Sequence, residues 1–297
     1  MSGTEEPGLP GILLHLSGPL QSWGEVSPFP AQRDTAATPT RSGLIGLIAA
    51  GLGYSRDDSR LGELGDLRFT VRVDRPGTLV RDLHTVGGGM PRHLTVATAE
   101  GKFRSGETST LVSHRYYMQD AAFTVAAHSA DIPLLHRCAS ALRWPTWPPY
   151  LGRRSCPPNA PFYLGTSPNV LRDLVRLPLA RQGPREPAPR ASDRTTPDER
   201  TVPPVAVDFT ADSSLEALLR AVHAHAAQPD HRPPPEENVS EAHDDPISFV
   251  PLDRRYRSRR RHHITVRLPA AQCGGRGTAY LDRLTAHFDA TPLEDLP

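Results

Sequence analysis

The most constraining feature of this chain is an unusually long connection between two strand-like stretches. Phe69, Val71 and Val73 alternate with Thr70 and Arg72, and Phe123, Val125 and Ala127 alternate in the same way. That period of two is the mark of a half-buried strand. The segment between them, residues 81–119, holds Gly87, Gly88 and Gly89, then Lys102 and Arg104, then His114, Arg115, Tyr116 and Tyr117. A connection this long is functional or disordered. Because residues 94–96 and 109–112 read as strand material, a protruding two-stranded arm is expected.

The surrounding pattern sets the fold class. Residues 12–16 form a short apolar run bounded by glycines, read as a buried strand. Residues 40–52 offer a helix, with Ser42 as N-cap and small residues that allow close packing. Leu134, Leu135, Cys138 and Leu142 share one helical face within 131–142. Strand, helix, strand, strand, helix is the opening of a ferredoxin-like unit, the architecture of RNA-recognition folds. The expectation is an α+β protein: a ferredoxin-like, RRM-like domain over 10–180 carrying the β-hairpin thumb, then a small β-rich C-terminal half over 205–268. Residues 181–204 are rich in proline, arginine and acidic residues and read as a linker. In the C-terminal half, Val205, Val207 and Phe209 suggest a strand, and Ser213 with Glu216 a capping box opening a helix. Residues 228–245 read as a disordered insert, Ile264, Val266 and Leu268 as a last strand, and 269–297 as a weakly structured tail.

Composition excludes several classes. With 297 residues there is room for one large domain or two small ones. The net charge of +1 argues neither for nor against nucleic acid. Of the 34 basic residues, Lys102 is the lone lysine, so arginine abundance is a compositional bias and only its clustering is informative. Cys138, Cys156 and Cys273 make neither a metal-ligand spacing nor a disulfide framework, which fits a reducing interior. Residues 1–10 lack the apolar run of a signal peptide. The longest apolar stretch, residues 44–52, is broken by Gly46 and Gly51 and is too short to span a bilayer. A cytoplasmic protein without a membrane partner is expected.

Thirteen histidines invite enzyme readings, yet no H-E-x-x-H, P-loop, G-x-S-x-G or paired-cysteine motif is present. His223 and His225 diverge on a helix, and His262 and His263 alternate faces of a strand; these are surface histidines. No metal site and no cofactor is expected. The sharper enzymatic alternative is a metal-independent endoribonuclease, with Lys102, His114 and Tyr116 or Tyr117 supplying cation, base and acid.

RNA binding rests on four elements. Thr40-Arg41-Ser42-Gly43 sits at a helix N-terminus, where free N–H groups and the dipole favour a phosphate, and Gly43 permits close approach; an ordinary cap is equally consistent. Gln21 can read a base edge and Trp23 can stack, unless Trp23 is a buried anchor. His114-Arg115-Tyr116-Tyr117 interleaves cations and aromatics, with Lys102 and Arg104 further along the arm. Arg153 and Arg154, in Y-L-G-R-R-S-C-P-P (residues 150–158), place two guanidinium forks on a loop stiffened by prolines. The most basic run, residues 254–261, is open to two readings, a solvated turn or a backbone contact.

In this order, L-S-G-P-L-Q-S-W-G (16–24), P-T-R-S-G-L-I-G-L (39–47), S-H-R-Y-Y-M-Q-D-A-A-F-T-V (113–125) and the loop at 150–158 resemble the type I-E branch of the Cas-five family of CRISPR proteins, in the RAMP superfamily. The resemblance covers residues 10–165 well and 246–268 loosely. It implies a non-catalytic subunit of the Cascade surveillance complex that binds and caps the five-prime handle of the guide CRISPR RNA. Its implied partners are that RNA, the backbone subunit and the large subunit, with target DNA met indirectly. It also implies that the thumb reaches over the RNA beside the spacer, and that a separate subunit performs cleavage.

Overall fold

A computed structural model describes residues 8–25, 32–86, 91–95, 101–103, 110–184, 202–225, 236–250 and 253–297. The chain opens with β1 (Gly11–Ser17), every residue of which is buried. Ile12, Leu14 and Leu16 face one core while Leu13 faces another. A strand covered on both faces reads as a continuous apolar run, which is why it was recognisable. Two short strands follow, β2 (Leu20–Gln21) and β3 (Gln32–Arg33), then α1 (Arg41–Gly51). The N-cap of α1 is Thr40, whose hydroxyl accepts from the Gly43 N–H, and not Ser42, which lies inside the first turn.

Next come β4 (Arg68–Arg75), β5 (Thr78–Val86), β6 (Leu111–Gln119), β7 (Ala122–His128), α2 (Ile132–Arg143), β8 (Tyr163–Ser167) and α3 (Val170–Arg176). The carboxylate of Asp131 caps α2 by accepting from Leu134 N–H at 2.9 Å. The chain ends with β9 (Val205–Ala211), α4 (Glu216–His225), β10 (Asn238–Ser248), β11 (Arg255–Leu268) and α5 (Thr278–Ala290).

Seven strands make one sheet in the order β10-β11-β9-β4-β7-β1-β8, with every neighbouring pair antiparallel. Helices α1 and α2 cover one face through Leu44, Ile48, Leu134 and Leu135. Helices α3, α4 and α5 cover the other through Leu174, Leu218, Tyr280 and Leu284. The protein is therefore α+β with an antiparallel main sheet. A second sheet is built around β6, which pairs along its full length with β5, from Thr78↔Gln119 to Val86↔Leu111, and with β2 and β3 on its other edge.

Several expectations need correction. Residues 205–268 add strands to the main sheet through β4–β9 pairing instead of forming a half of their own. Residues 238–245, expected as disordered insert, belong to β10. Its charged residues face opposite charges, Glu241 against Arg260 and Asp245 against Arg257, and such pairs stabilise a ladder. As an edge strand it also tolerates Pro246. The tail after 269 contains α5, held by Tyr280 and Leu284. Residues 92–94 are a single 3₁₀ turn, not a strand. At α4, the hydroxyl that accepts from Glu216 N–H is that of Ser214, not Ser213. Residues 185–201 of the expected linker, 228–235 of the expected insert and parts of the arm, including Arg104, lie outside the described residues.

Candidate nucleic-acid interface

A groove of about 1620 Å³ runs along α1. Ser42, Gly43, Gly46, Ala49 and Ala50 floor it. Their spacing of three and four places them on one helical face, and their small size brings a ligand close to the helix. The walls come from β3 and the residue after it, from Arg115 on β6, from residues 147–157, and from the turn between β10 and β11.

The loop at 150–156 is rigid. Leu151 N–H donates to Cys156 O at 2.7 Å, Cys156 N–H to Arg153 O at 2.8 Å, and Ser22 N–H to Leu151 O at 3.0 Å. Gly152 has φ +84, and a Cβ there would sit 1.6 Å from Ser22 O, so no other residue fits. This loop lays the Arg153 guanidinium over the Tyr117 ring, 4.6 Å from its centroid, while Arg153 Nη2 donates to Arg33 O at 3.2 Å. Arg33 in turn pairs with Arg115 across β3 and β6. Arg115 Nε and Arg153 Nη1 are buried without a hydrogen-bond partner among the described residues.

The lining holds Arg33, Arg56, Arg115, Arg153, Arg154, Arg254 and Arg255 against the carboxylates Glu25 and Asp34. Of these arginines, Arg255 alone makes an ion pair among the described residues, with Asp253. Clustered guanidinium groups repel one another unless an anion joins them, so the groove is electrostatically complementary to a polyanion.

Six of the thirteen expected binding residues line this groove, Trp23, Ser42, Gly43, Arg115, Arg153 and Arg154, while Tyr117 lies beneath Arg153 without lining it. Others are placed elsewhere. Gln21 is fully buried; its amide donates to Leu16 O at 3.1 Å and Ala121 O at 2.9 Å and accepts from Trp23 Nε1 at 3.0 Å. Its amide is thus occupied within the protein, where it holds the β2 turn. Trp23 is 1% exposed and is the anchor, not a stacking face. Gly43 is required by that anchor, since a Cβ would lie 2.8 Å from Trp23 Cε3.

Arg41 is the largest departure. It is 4% exposed, with Nη1 donating to Asp212 at 2.6 Å and Nε to Asp245 at 2.8 Å. Its backbone N–H donates to Asp244 Oδ2 at 2.7 Å, so a carboxylate of the protein occupies the helix terminus where a phosphate was expected. Burial works against the Asp245 carboxylate, yet Arg41 and Arg257 hold it below its ordinary range. His114 and Tyr116 share the face of β6 opposite Arg115 and Tyr117, and neither they nor Lys102 line the groove. The basic run divides: Arg254, Arg255 and Tyr256 reach the groove, whereas Arg257 and Arg259 are held by Asp245, Asp244 and Asp212. Arg33 and Trp147 line the groove without any sequence signal beyond residue type.

Among the described residues, no group of three His, Cys, Asp or Glu side chains could hold a metal ion, and no helix is long and apolar enough to cross a membrane. The three cysteines are free, and burial pushes the Cys138 thiol up to about 12.

Fold and groove define an antiparallel α+β protein with a surface complementary to a polyanion, and comparison narrows the class. Residues 11–262 match the family described as "CRISPR-associated protein (Cas_Cas5)", and the chain belongs to this family. It is 38% identical over 162 residues to the CRISPR system Cascade subunit CasD of Escherichia coli (strain K12), covering 52% of this chain and 70% of that protein. A chain of a solved CRISPR RNA-guided surveillance complex superposes with TM-score 0.70 and 35% identity, covering 94% of this chain and 99% of that one. A solved structure described as a Cas protein superposes with TM-score 0.51 and 25% identity, over 90% and 98% of the two chains.

Proposed function

We propose that this protein is the subunit of a Cascade-type surveillance complex that binds and caps the five-prime handle of the guide CRISPR RNA, without cutting it. The observation that carries this reading is the groove along α1, where arginines outnumber carboxylates and most lack a partner among the described residues. The relatives supply the context, a Cascade subunit and an RNA-guided surveillance complex. The chain order β1-α1-β4-β7-α2-β8, with strand order β4-β7-β1-β8, supports a ferredoxin-like unit of the RNA-recognition type. The β5–β6 pair leaves that unit between its second and third strands and is the base of the thumb. Its partners are the guide, the backbone subunit and the large subunit, with target DNA engaged through base pairing of the guide.

The endoribonuclease reading is the weaker one. Its base and acid candidates, His114 and Tyr116, lie on the face of β6 away from the groove, and Tyr117 is buried under Arg153. Two measurements test the proposal. A complex assembled with R153E/R154E should lose its guide RNA while the variant chain still folds and melts cooperatively; retention at wild-type level would overturn the groove assignment. Purified protein should leave a CRISPR repeat RNA intact with or without magnesium. Specific cleavage abolished by His114→Ala would restore the nuclease reading.

A further inference from the structure

Trp144 and Trp147 are 77% and 46% exposed, an unusual position for the largest apolar side chain. They lie on the segment W-P-T-W-P-P-Y that leaves α2. Trp147 lines the groove; Trp144 does not. The segment is stiff. Three prolines restrict it, and Thr146 N–H donates to Gly51 O at 2.9 Å, tying it to the end of α1. Gly53, at φ +75, lies against Thr146, where a Cβ would be 2.9 Å from Thr146 Cγ2. Trp147 is therefore held ready at little conformational cost.

Its place along the groove matters. At the start of α1, Gly43 packs on Trp23, and Ser22 is bonded to the arginine loop. At the end of α1 stands Trp147. The helix has 11 residues, so the two ends are about 16 Å apart at 1.5 Å per residue. A single strand whose phosphates meet Arg153 and its neighbours can extend along the small-residue floor and place a base at the tryptophan. Aromatic platforms beside cationic tracks bind single strands this way, because every base has a π-face and only an unpaired base is free to stack.

We propose that Trp147 is a stacking platform for one base of the bound RNA, supplying affinity without choosing the base. This rests on the reading of the groove as an RNA site. The occupant is nucleic acid and not an apolar protein surface, because Arg153 and Arg154 follow on the same continuous segment without carboxylate partners.

The test is fluorescence anisotropy of a fluorescein-labelled single-stranded RNA oligonucleotide with the full chain, across a salt series. Trp147→Ala should weaken binding about ten-fold, with the slope of log K against log salt unchanged, since no phosphate contact is removed. Trp147→Phe should recover most of the loss, and Trp144→Ala should bind as wild type. In a set of strands with single abasic positions, one strand should cost the wild type as much as Trp147→Ala costs with the intact strand, and cost the variant nothing more. Equal binding by wild type and Trp147→Ala would overturn the platform and leave the groove reading standing, as would happen if Trp147 docks a protein. Absence of salt-dependent RNA binding by the wild type would overturn both.

Discussion

Two arginine clusters flank α1, and they are opposites. At its N-terminus Arg41, Arg257 and Arg259 meet Asp212, Asp244 and Asp245 in a charge-balanced lock. Its contacts include Arg259 to Asp212 at 2.8 Å and to Asp244 at 2.6 Å. Along its exposed face Arg33, Arg115, Arg153, Arg154 and Arg254 have no carboxylate partner among the described residues. The lock fastens α1 to β10 and β11, with no charge left for a ligand. The groove leaves its charge uncompensated, at a cost in self-repulsion that a bound polyanion removes. A guanidinium is thus structural or functional according to whether the fold has already supplied its counter-ion.

The largest expected effect breaks the lock. Arg41→Ala takes one of two guanidinium partners from buried Asp212, which keeps Arg259, and from half-buried Asp245, which keeps Arg257. The loss should therefore be about 3 kcal/mol, the lower end for breaking a buried pair. Denaturant melts should show that loss for Arg41→Ala and a change within about 0.5 kcal/mol for Arg154→Ala. If Arg41→Ala melts like wild type, the two clusters do not differ as described.

Acid should separate stability from binding. His15 is buried, and desolvation lowers its pKa from 6.5 to about 4. The folded state then binds this proton less readily than the unfolded chain. Stability is therefore complete above pH 6.5 and declines as pH falls towards 4. From pH 7 to pH 5 the loss from this one group is about 2 kcal/mol. A guanidinium stays charged across that range, and His243, which also lines the groove, can only add positive charge on acidification. The folded fraction should therefore hold RNA at least as well at pH 5 as at pH 7. Denaturant melts paired with anisotropy at pH 7, 6 and 5 check this, and RNA affinity that falls in step with stability would contradict it.

A smaller effect sharpens the groove. Arg153→Ala should cost about 1 kcal/mol or less through the lost contact on the Tyr117 ring, and should lower the salt slope of RNA binding by about 1, the mark of one phosphate contact. An unchanged slope would assign Arg153 to packing on Tyr117 alone.

The sequence made one of these clusters readable and disguised the other. Arg153 and Arg154 sit between a glycine and a proline pair, a local pattern that implies a fixed loop. Arg41 looks identical locally, but its partners lie far along the chain at 212, 244 and 245, and no spacing rule connects them. The fold shows the same divide. Strand β1 is a continuous apolar run, and β4, β7, β9 and the 264–268 end of β11 alternate against a core, so these are legible. Edge strand β10 is held by charge pairs with β11 and lacks that period. Helix α5 does carry Tyr280, Leu284 and Phe288 at four-residue spacing. It follows Gly274, Gly275 and Gly277, a composition that favours loop over helix.

The last and smallest effect uses two glycines one turn apart on α1. Gly43 and Gly46 both floor the groove, but a Cβ on Gly43 would press on Trp23 at 2.8 Å, while a Cβ on Gly46 would meet nothing within 4 Å. Gly43→Ala should therefore destabilise, because the neighbouring ring is buried and cannot yield. Gly46→Ala should stabilise by up to about 1 kcal/mol, since glycine inside a helix costs that much against alanine. Gly46→Leu should also fold, yet its side chain enters the channel and should lower RNA affinity about ten-fold or more, the size of one lost base contact. Melting curves and anisotropy on the three variants read both quantities. If Gly46→Leu binds RNA as wild type does, the strand does not pass along α1, and the uncompensated arginines must serve a ligand that stays clear of the helix.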